Sequence, residues 1–227
     1  MKKILVSLAL VMASTSLWAQ EIPAKEEIKG TRSEGLANLK LAADLVKYGY
    51  QQEDALSLLM AAQIIGDTDS QKLEAEKSGE NPDMSDNTGK KGFVTLDRDK
   101  ILADAKKFTN GDKDVESLIA KTENEAKGVS RGAVGGPCKD YAAVKAYSSY
   151  TWTCNFYADR LAEVLVSGDG DTDLDLYVYD SNGNLIDSDT DYTDDCYVSW
   201  VPRWTGKFYI KIVNRGGVFN RYVIVTN

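Results

Sequence analysis

The chain of 227 residues has no histidine, only three cysteines and four prolines, and too few bases to balance its acids: 27 Lys+Arg against 35 Asp+Glu, a formal charge of −8. Without histidine there is no Ser-His-Asp or Cys-His nucleophile system, no histidine general base and almost no route to a catalytic zinc site. Carboxylate, lysine and tyrosine chemistry stay open. The acid excess argues against a nucleic-acid partner, because phosphate binding is driven by clustered Lys and Arg. Long apolar runs are also missing, so no transmembrane segment is expected. The run Ile4 to Ala13 follows the basic Met1-Lys2-Lys3 and precedes Leu17-Trp18-Ala19, which puts a small residue before Gln20. That is the pattern of a secretory signal peptide over residues 1–19. The expected location is exported, periplasmic or extracellular, with no cysteine placed for a lipid anchor.

Export permits disulfides. Cys138, Cys154 and Cys196 allow three single bridges with one thiol left over, or none, since Cys154 and Cys196 also sit in phase with large apolar residues. Their spacing matches no metal or redox motif.

Two periodicities divide the chain. Ser33 can cap a helix to about Tyr48 with Leu36, Leu39, Ala43 and Val46 on one face. A second helix from about Glu53 to Ile65 carries Ala55, Leu58, Leu59, Ala62 and Ile65, and the pair reads as an antiparallel hairpin, weakly tetratricopeptide-like. Residues 67–91 are polar and aperiodic and read as a linker. A third helix is expected at about Asp97–Thr109. A fourth, capped by Asp112, has Val115, Leu118, Ile119 and Thr122 on its face. Residues 128–138 are glycine-rich and read as a second linker. Beyond it the period becomes two, with β-branched and aromatic runs at Tyr150–Tyr157, Arg160–Ser167, Leu174–Tyr179, Asn184–Ser188, Cys196–Val201, Lys207–Val213 and Arg221–Thr226, and an eighth near Ala142–Ala146. The fold class predicted is α+β and multidomain: a small N-terminal α-helical domain over 20–127, then an antiparallel β-sandwich over 139–227.

Ten aspartates lie between Asp169 and Asp195 with no Lys or Arg among them. Ser181-Asn182-Gly183 suits a three-residue hairpin loop with Gly183 in the left-handed conformation. That loop places Asp180 opposite Asn184, Val178 opposite Ile186, Tyr177 opposite Asp187, Asp175 opposite Asp189 and Asp173 opposite Asp191. A slip of one residue would turn the second strand's aspartates to the core face. Opposed like charges destabilise a sheet by roughly 0.2–1 kcal/mol per pair, so a counter-ion is expected. Calcium suits an irregular all-oxygen site outside cells. Its expected ligands are Asp173, Asp175, Asp189 and Asp191, with Asp169 and Asp171 reaching in from the preceding loop, and its expected role is structural. The stretch is not an EF-hand, because Leu174 and Asp180 stand where glycine and glutamate are required. Alternatively it is a solvated acidic face; paired-carboxylate catalysis needs a cleft that a sheet face does not offer.

Asp173-Leu174-Asp175-Leu176-Tyr177-Val178-Tyr179-Asp180, Asn182-Gly183, Trp204-Thr205-Gly206-Lys207-Phe208-Tyr209-Ile210-Lys211-Ile212 and Tyr222 together resemble the bacterial pre-peptidase C-terminal domain, over about residues 140–227. The resemblance implies a jelly-roll-like sandwich that accompanies secreted enzymes, often peptidases. Some members bind calcium and some adhere to collagen or polysaccharide. Only Asp173 and Asp175 match the family's functional aspartates.

Ten of the twelve tyrosines follow Pro137. Alternation turns Tyr177, Tyr179, Tyr197 and Tyr209 away from the core, where aromatic rings can stack on sugars, anchor a peptide, or simply sit half-exposed. The function expected is therefore an exported, non-catalytic binding protein that recognises protein or carbohydrate. The alternatives are a secreted hydrolase or hydrolase accessory subunit working through carboxylates or the metal, and an envelope scaffold acting through an apolar groove of the helical hairpin.

Overall fold

The computed structural model describes residues 32–80, 95–124 and 136–227. The expected signal peptide, the end of the polar linker and most of the glycine-rich linker lie outside these residues.

Helix α1 (Glu34–Gln52) starts where Ser33 Oγ accepts the Leu36 N–H at 3.2 Å, and it stops at Glu53, whose φ of 53° is left-handed. Asp54 then caps α2 (Ala55–Asp67) by accepting the N–H groups of Leu56 and Ser57. The two helices cross closely at Gly49, where an added Cβ would stand 2.6 Å from Leu58 Cδ2. The short strands β1 (Gln71–Lys72) and β2 (Glu76–Gly79) follow, then α3 (Arg98–Ala105) and α4 (Lys113–Asn124). Ile101, Leu102, Ala105 and Ile119 are buried; Leu118, expected on the same face, is exposed.

Eight further strands make the sandwich: β3 (Cys138–Val144), β4 (Ser149–Phe156), β5 (Ala162–Gly168), β6 (Leu174–Tyr179), β7 (Leu185–Asp189), β8 (Asp195–Trp200), β9 (Gly206–Asn214) and β10 (Asn220–Thr226). They pair as β3-β10-β5-β8 and β4-β9-β6-β7, the strand order of a jelly roll. Between the sheets lie Trp152, Phe208, Ile210, Ile212, Leu174, Leu176, Val178 and Tyr222, with Val198 and Trp200 opposite, as the alternation predicts. Trp152 Nε1 donates to Tyr222 Oη at 2.9 Å, so both polar atoms are satisfied in the interior.

Two features differ from the linear reading. First, the helices do not close a core of their own. Leu36, Leu39, Val46, Leu58, Ile101 and Ile119 pack in one cluster with Leu165, Val223 and Val225 from the outer side of the β3-β10-β5-β8 sheet. The molecule has three layers (helices, sheet, sheet), because four modest amphipathic helices bury too little apolar surface alone. Glu163 in β5, 1% exposed, ties the layers: it accepts hydrogen bonds from the Ser33 N–H at 2.7 Å, Tyr197 Oη at 2.6 Å and Asn227 Nδ2 at 3.0 Å.

Second, the start of the expected polar linker is a strap. β1 runs parallel to β3 in one sheet and β2 antiparallel to β4 in the other. Between them Leu73, 6% exposed, enters the core from the side. The segment thus covers one edge of each sheet, where unpaired N–H and C=O groups would otherwise be exposed. Among the described residues no helix is long and apolar enough to cross a membrane.

Candidate functional site

The β6–β7 hairpin begins as its sequence dictates. Gly183 has φ +82°, Asp180 Oδ1 accepts the N–H groups of Asn182 and Asn184, and Tyr179 stands opposite Leu185. The register then shifts: Val178 pairs with Asp187, Tyr177 with Ser188 and Leu176 with Asp189, leaving Ile186 as the extra residue of a bulge. The expected pairs Val178–Ile186, Tyr177–Asp187, Asp175–Asp189 and Asp173–Asp191 are not formed. The slip is tolerated because β7 is an edge strand whose inner side meets the rim of the other sheet. There Asp189 Oδ2 accepts the Tyr197 N–H at 2.9 Å instead of facing apolar core.

The counter-ions come from elsewhere in the chain. Arg215, after β9, donates through Nε to Asp175 Oδ2 at 2.6 Å and through Nη2 to Tyr177 Oη at 3.0 Å, over a carboxylate only 4% exposed. Lys47 of α1 reaches Asp194 at 2.9 Å and Asp195 at 2.7 Å. Burial by itself lowers the Lys47 ammonium, but the two carboxylates outweigh it and hold it above its ordinary value.

The six expected metal ligands therefore part company. Asp175 belongs to Arg215 and Asp189 to the Tyr197 backbone. Asp191 accepts the N–H and hydroxyl of Thr193. Asp169 accepts the N–H groups of Arg221 and Asp171 at 3.0 and 3.2 Å, and burial, reinforced by the charges of Asp171 and Asp194, pushes its carboxyl up to about 6. Burial, with Asp175 and Asp191 adding to it, also raises Asp173. Asp171 Oδ2, Thr172 Oγ1 and Asp173 Oδ1 are buried atoms with no hydrogen-bond partner. Among the described residues, no three acidic or cysteine side chains gather closely enough to hold a metal ion as they stand.

The two outer sheet faces have different fates. On the β3-β10-β5-β8 sheet Tyr197, expected to face away from the core, lies beneath the helical layer with its hydroxyl on Glu163. The β4-β9-β6-β7 sheet has no helix over it among the described elements. Its outer side carries Tyr177 and Tyr179, with ring centroids 6.3 Å apart and planes within 22°, and Tyr209, which is in register with Tyr179 on one side and Thr153 on the other. Thr151, Lys211 and Tyr177 form the next row. Leu185 and Ile186, on the adjoining edge strand, are 54% and 38% exposed. The outcome is a shallow aromatic surface bordered by hydroxyls, Lys207, Lys211 and Arg215. Its rings were legible as outward-facing; the exposed Leu185-Ile186 pair was not, because it depends on the bulge.

A cavity of about 570 Å³ opens at one end of the sandwich, between the strap and the β4–β5 connection, with Phe156, Tyr157, Arg160, Cys138 and Cys154 on its walls. No motif announced it, since its walls come from distant segments.

No protein-family model matches the chain, and no curated protein sequence does. Solved structures with some likeness include the Aeromonas hydrophila PliG, a periplasmic lysozyme inhibitor of g-type lysozyme (11% identity, 40% of this chain and 84% of that one, TM-score 0.31). The Yersinia pseudotuberculosis-derived mitogen is similar over 41% of this chain and 86% of its own, at 11% identity and a TM-score of 0.32. A carbohydrate-binding module from Cellvibrio mixtus lichenase 5A, in complex with cellotriose, matches 41% of this chain and 88% of its own at 11% identity and a TM-score of 0.24. At these scores the likenesses carry nothing about ligand or activity.

Proposed function

We propose that the protein is an exported, non-catalytic binding protein that holds a glycan, or a protein segment presenting comparable flat groups, on the open face of the β4-β9-β6-β7 sheet. One observation carries this: among the described residues, the helices bury the outer side of one sheet and leave the other with Tyr177, Tyr179 and Tyr209 side by side. Tyrosine offers a broad apolar ring and a polar tip, which suits sugar faces and their hydroxyls, and the neighbouring threonines and lysines add donors. The jelly-roll order of β3 to β10 is the sandwich that the resemblance to the pre-peptidase C-terminal domain implies, and it is an order that many binding sandwiches share. The scaffold alternative loses its groove, because Leu36, Leu39, Ala43 and Val46 are each at most 2% exposed and face the hairpin partner and the sheet.

A glycan array together with a panel of matrix proteins tests the proposal. The wild type should bind a glycan class, and the variant Tyr177→Ala/Tyr179→Ala/Tyr209→Ala should bind it at least about tenfold more weakly, at the roughly 0.5–1.5 kcal/mol expected per aromatic contact. Its melting temperature should fall only modestly, since these rings do not enter the core and Arg215 keeps its Nε bond to Asp175 when the Tyr177 hydroxyl is lost. No binding by the wild type, equal binding by the variant, or hydrolysis of the bound glycan would each overturn the proposal.

A calcium ion is the second proposal, favoured by the unpartnered Asp171 Oδ2, Thr172 Oγ1 and Asp173 Oδ1. With Asp175 committed to Arg215, the ligand set narrows to Asp171, Thr172 and Asp173, with Asp169 adjacent. When bound, the ion supplies positive charge to the β5–β6 loop. Saturating calcium should raise the melting temperature by several degrees over EDTA, as about 2 kcal/mol of linkage does for a domain of this size. Asp171→Asn/Asp173→Asn should remove that difference. An unchanged melting temperature on adding EDTA sinks the calcium proposal and leaves the glycan proposal standing.

A further inference from the structure

Three thiols allow three pairings, and the fold separates one of them. Cys196, in β8, is buried; its Sγ donates to the Leu174 carbonyl at 3.1 Å, and its charged neighbours are Asp189, Asp191, Asp195 and Asp175. Cys138 opens β3 and Cys154 lies near the end of β4. These two strands are consecutive, lie in opposite sheets and are joined by the short turn 145–148, so residues about equally far from the turn face each other across the sandwich. Cys138 and Cys154 are such residues. Both pack on the inter-sheet core, and both line the same cavity. Burial pushes the Cys154 thiol up to about 12, and the nearness of Cys138 adds to the shift; Cys196 is not among the groups acting on it. Cys138 is half-buried, and Cys154 lies behind it in the interior.

We propose that Cys138 and Cys154 are a redox pair that closes to a disulfide joining the two sheets, while Cys196 remains a thiol. This rests on export, because a stable bridge needs an oxidising compartment. β-Sandwiches accommodate inter-sheet bridges elsewhere. The oxidant is a disulfide, of a small thiol or of a dithiol protein. The Cys138 thiolate attacks one of its sulfurs, the oxidant's S–S bond breaks, and one thiolate leaves. The Cys154 thiolate then attacks the Cys138 sulfur of the mixed disulfide and expels the second thiolate. Two electrons pass to the oxidant and the two protons go with them, so that it ends as two thiols. The new bond fastens the start of β3, and with it the β1 strap that pairs with Cys138, to β4 across one wall of the cavity.

The full chain, purified reduced, is incubated with oxidised glutathione, alkylated and mapped by mass spectrometry. The expected result is a loss of about two mass units for the two hydrogens removed, a Cys138–Cys154 cross-linked peptide and alkylation at Cys196 alone. Oxidised protein should melt several degrees above reduced protein, and Cys138→Ser should abolish that difference. Cys154→Ala serves as the second variant, with the core volume changed rather than the rim. Three alkylatable thiols after oxidation, a bridge involving Cys196, or a glutathione adduct that stops at Cys138 overturns the proposal. Fractionation of expressing cells separates the two premises. A cytosolic chain whose purified form still closes the bridge refutes export alone; an exported chain whose thiols stay open refutes the pair.

Discussion

Glu163→Ala is expected to destabilise the protein by about 3 kcal/mol and to loosen the helical layer before the sandwich. The side chain is 1% exposed, and its two oxygens serve three donors from three parts of the chain: the Ser33 N–H at the head of α1, the Tyr197 hydroxyl on β8 and the Asn227 amide after β10. Deleting it leaves those part-buried donors short of an acceptor, and an unmade hydrogen bond costs more than a made one gains. Ser33 and Asn227 lie near the surface, and water can recover part of that loss. Glu163→Gln keeps the volume and one acceptor oxygen but turns an NH2 towards donors, so about half the destabilisation should remain. Urea unfolding by circular dichroism gives the size of the effect. Limited proteolysis gives its place: cleavage in α1 and α2 should accelerate ahead of cleavage in β3 to β10. Uniform acceleration along the chain would show that Glu163 supports the sandwich and not the layer contact.

Trp152→Ala should cost more, about 3–5 kcal/mol, the range for truncating a fully buried aromatic. Trp152 is 0% exposed at the centre of β4, with Tyr150 edge-on at 5.9 Å between ring centroids. Its removal opens a cavity between the sheets and strands the hydroxyl of Tyr222, also 0% exposed, which loses its indole N–H partner. Trp152→Phe isolates the second effect, because it retains most of the ring packing while removing the donor; about 1–2 kcal/mol is expected. Calorimetry on both variants, with near-ultraviolet circular dichroism as a check on packing, measures the two contributions. A loss under 1 kcal/mol for Trp152→Ala would mean that the sheets can collapse around the gap.

Much of this architecture is written locally. Ser33 and Asp54 mark the helix starts, Leu36 to Val46 supply a helical stripe, and Leu174-Leu176-Val178 and Phe208-Ile210-Ile212 supply period-two faces; each signal lies within a few residues. Gly183 and Asp180 likewise set the hairpin tip. The strap carries almost no local signal because β1 and β2 are short and wholly exposed, and their stability comes from hydrogen bonds to β3 and β4. Leu73 and Ala75, two apolar residues at alternating positions in a polar stretch, are the trace it leaves. The register is not legible locally because a bulge at Ile186 depends on what borders β7, and that border includes the Tyr197 backbone of another sheet.

The sequence by itself determined the absence of histidine chemistry, the acid excess and its concentration in one region, the two periodicities and the outward direction of the tyrosines. Those are properties of composition and near neighbours. Only the tertiary structure decided which tyrosines are uncovered, which thiols line one cavity and what balances the aspartates. Lys47 lies 147 residues before Asp194, and Arg215 lies 40 residues after Asp175. A carboxylate takes its counter-charge from whatever the fold brings within a few ångströms, and distance along the chain says nothing about that.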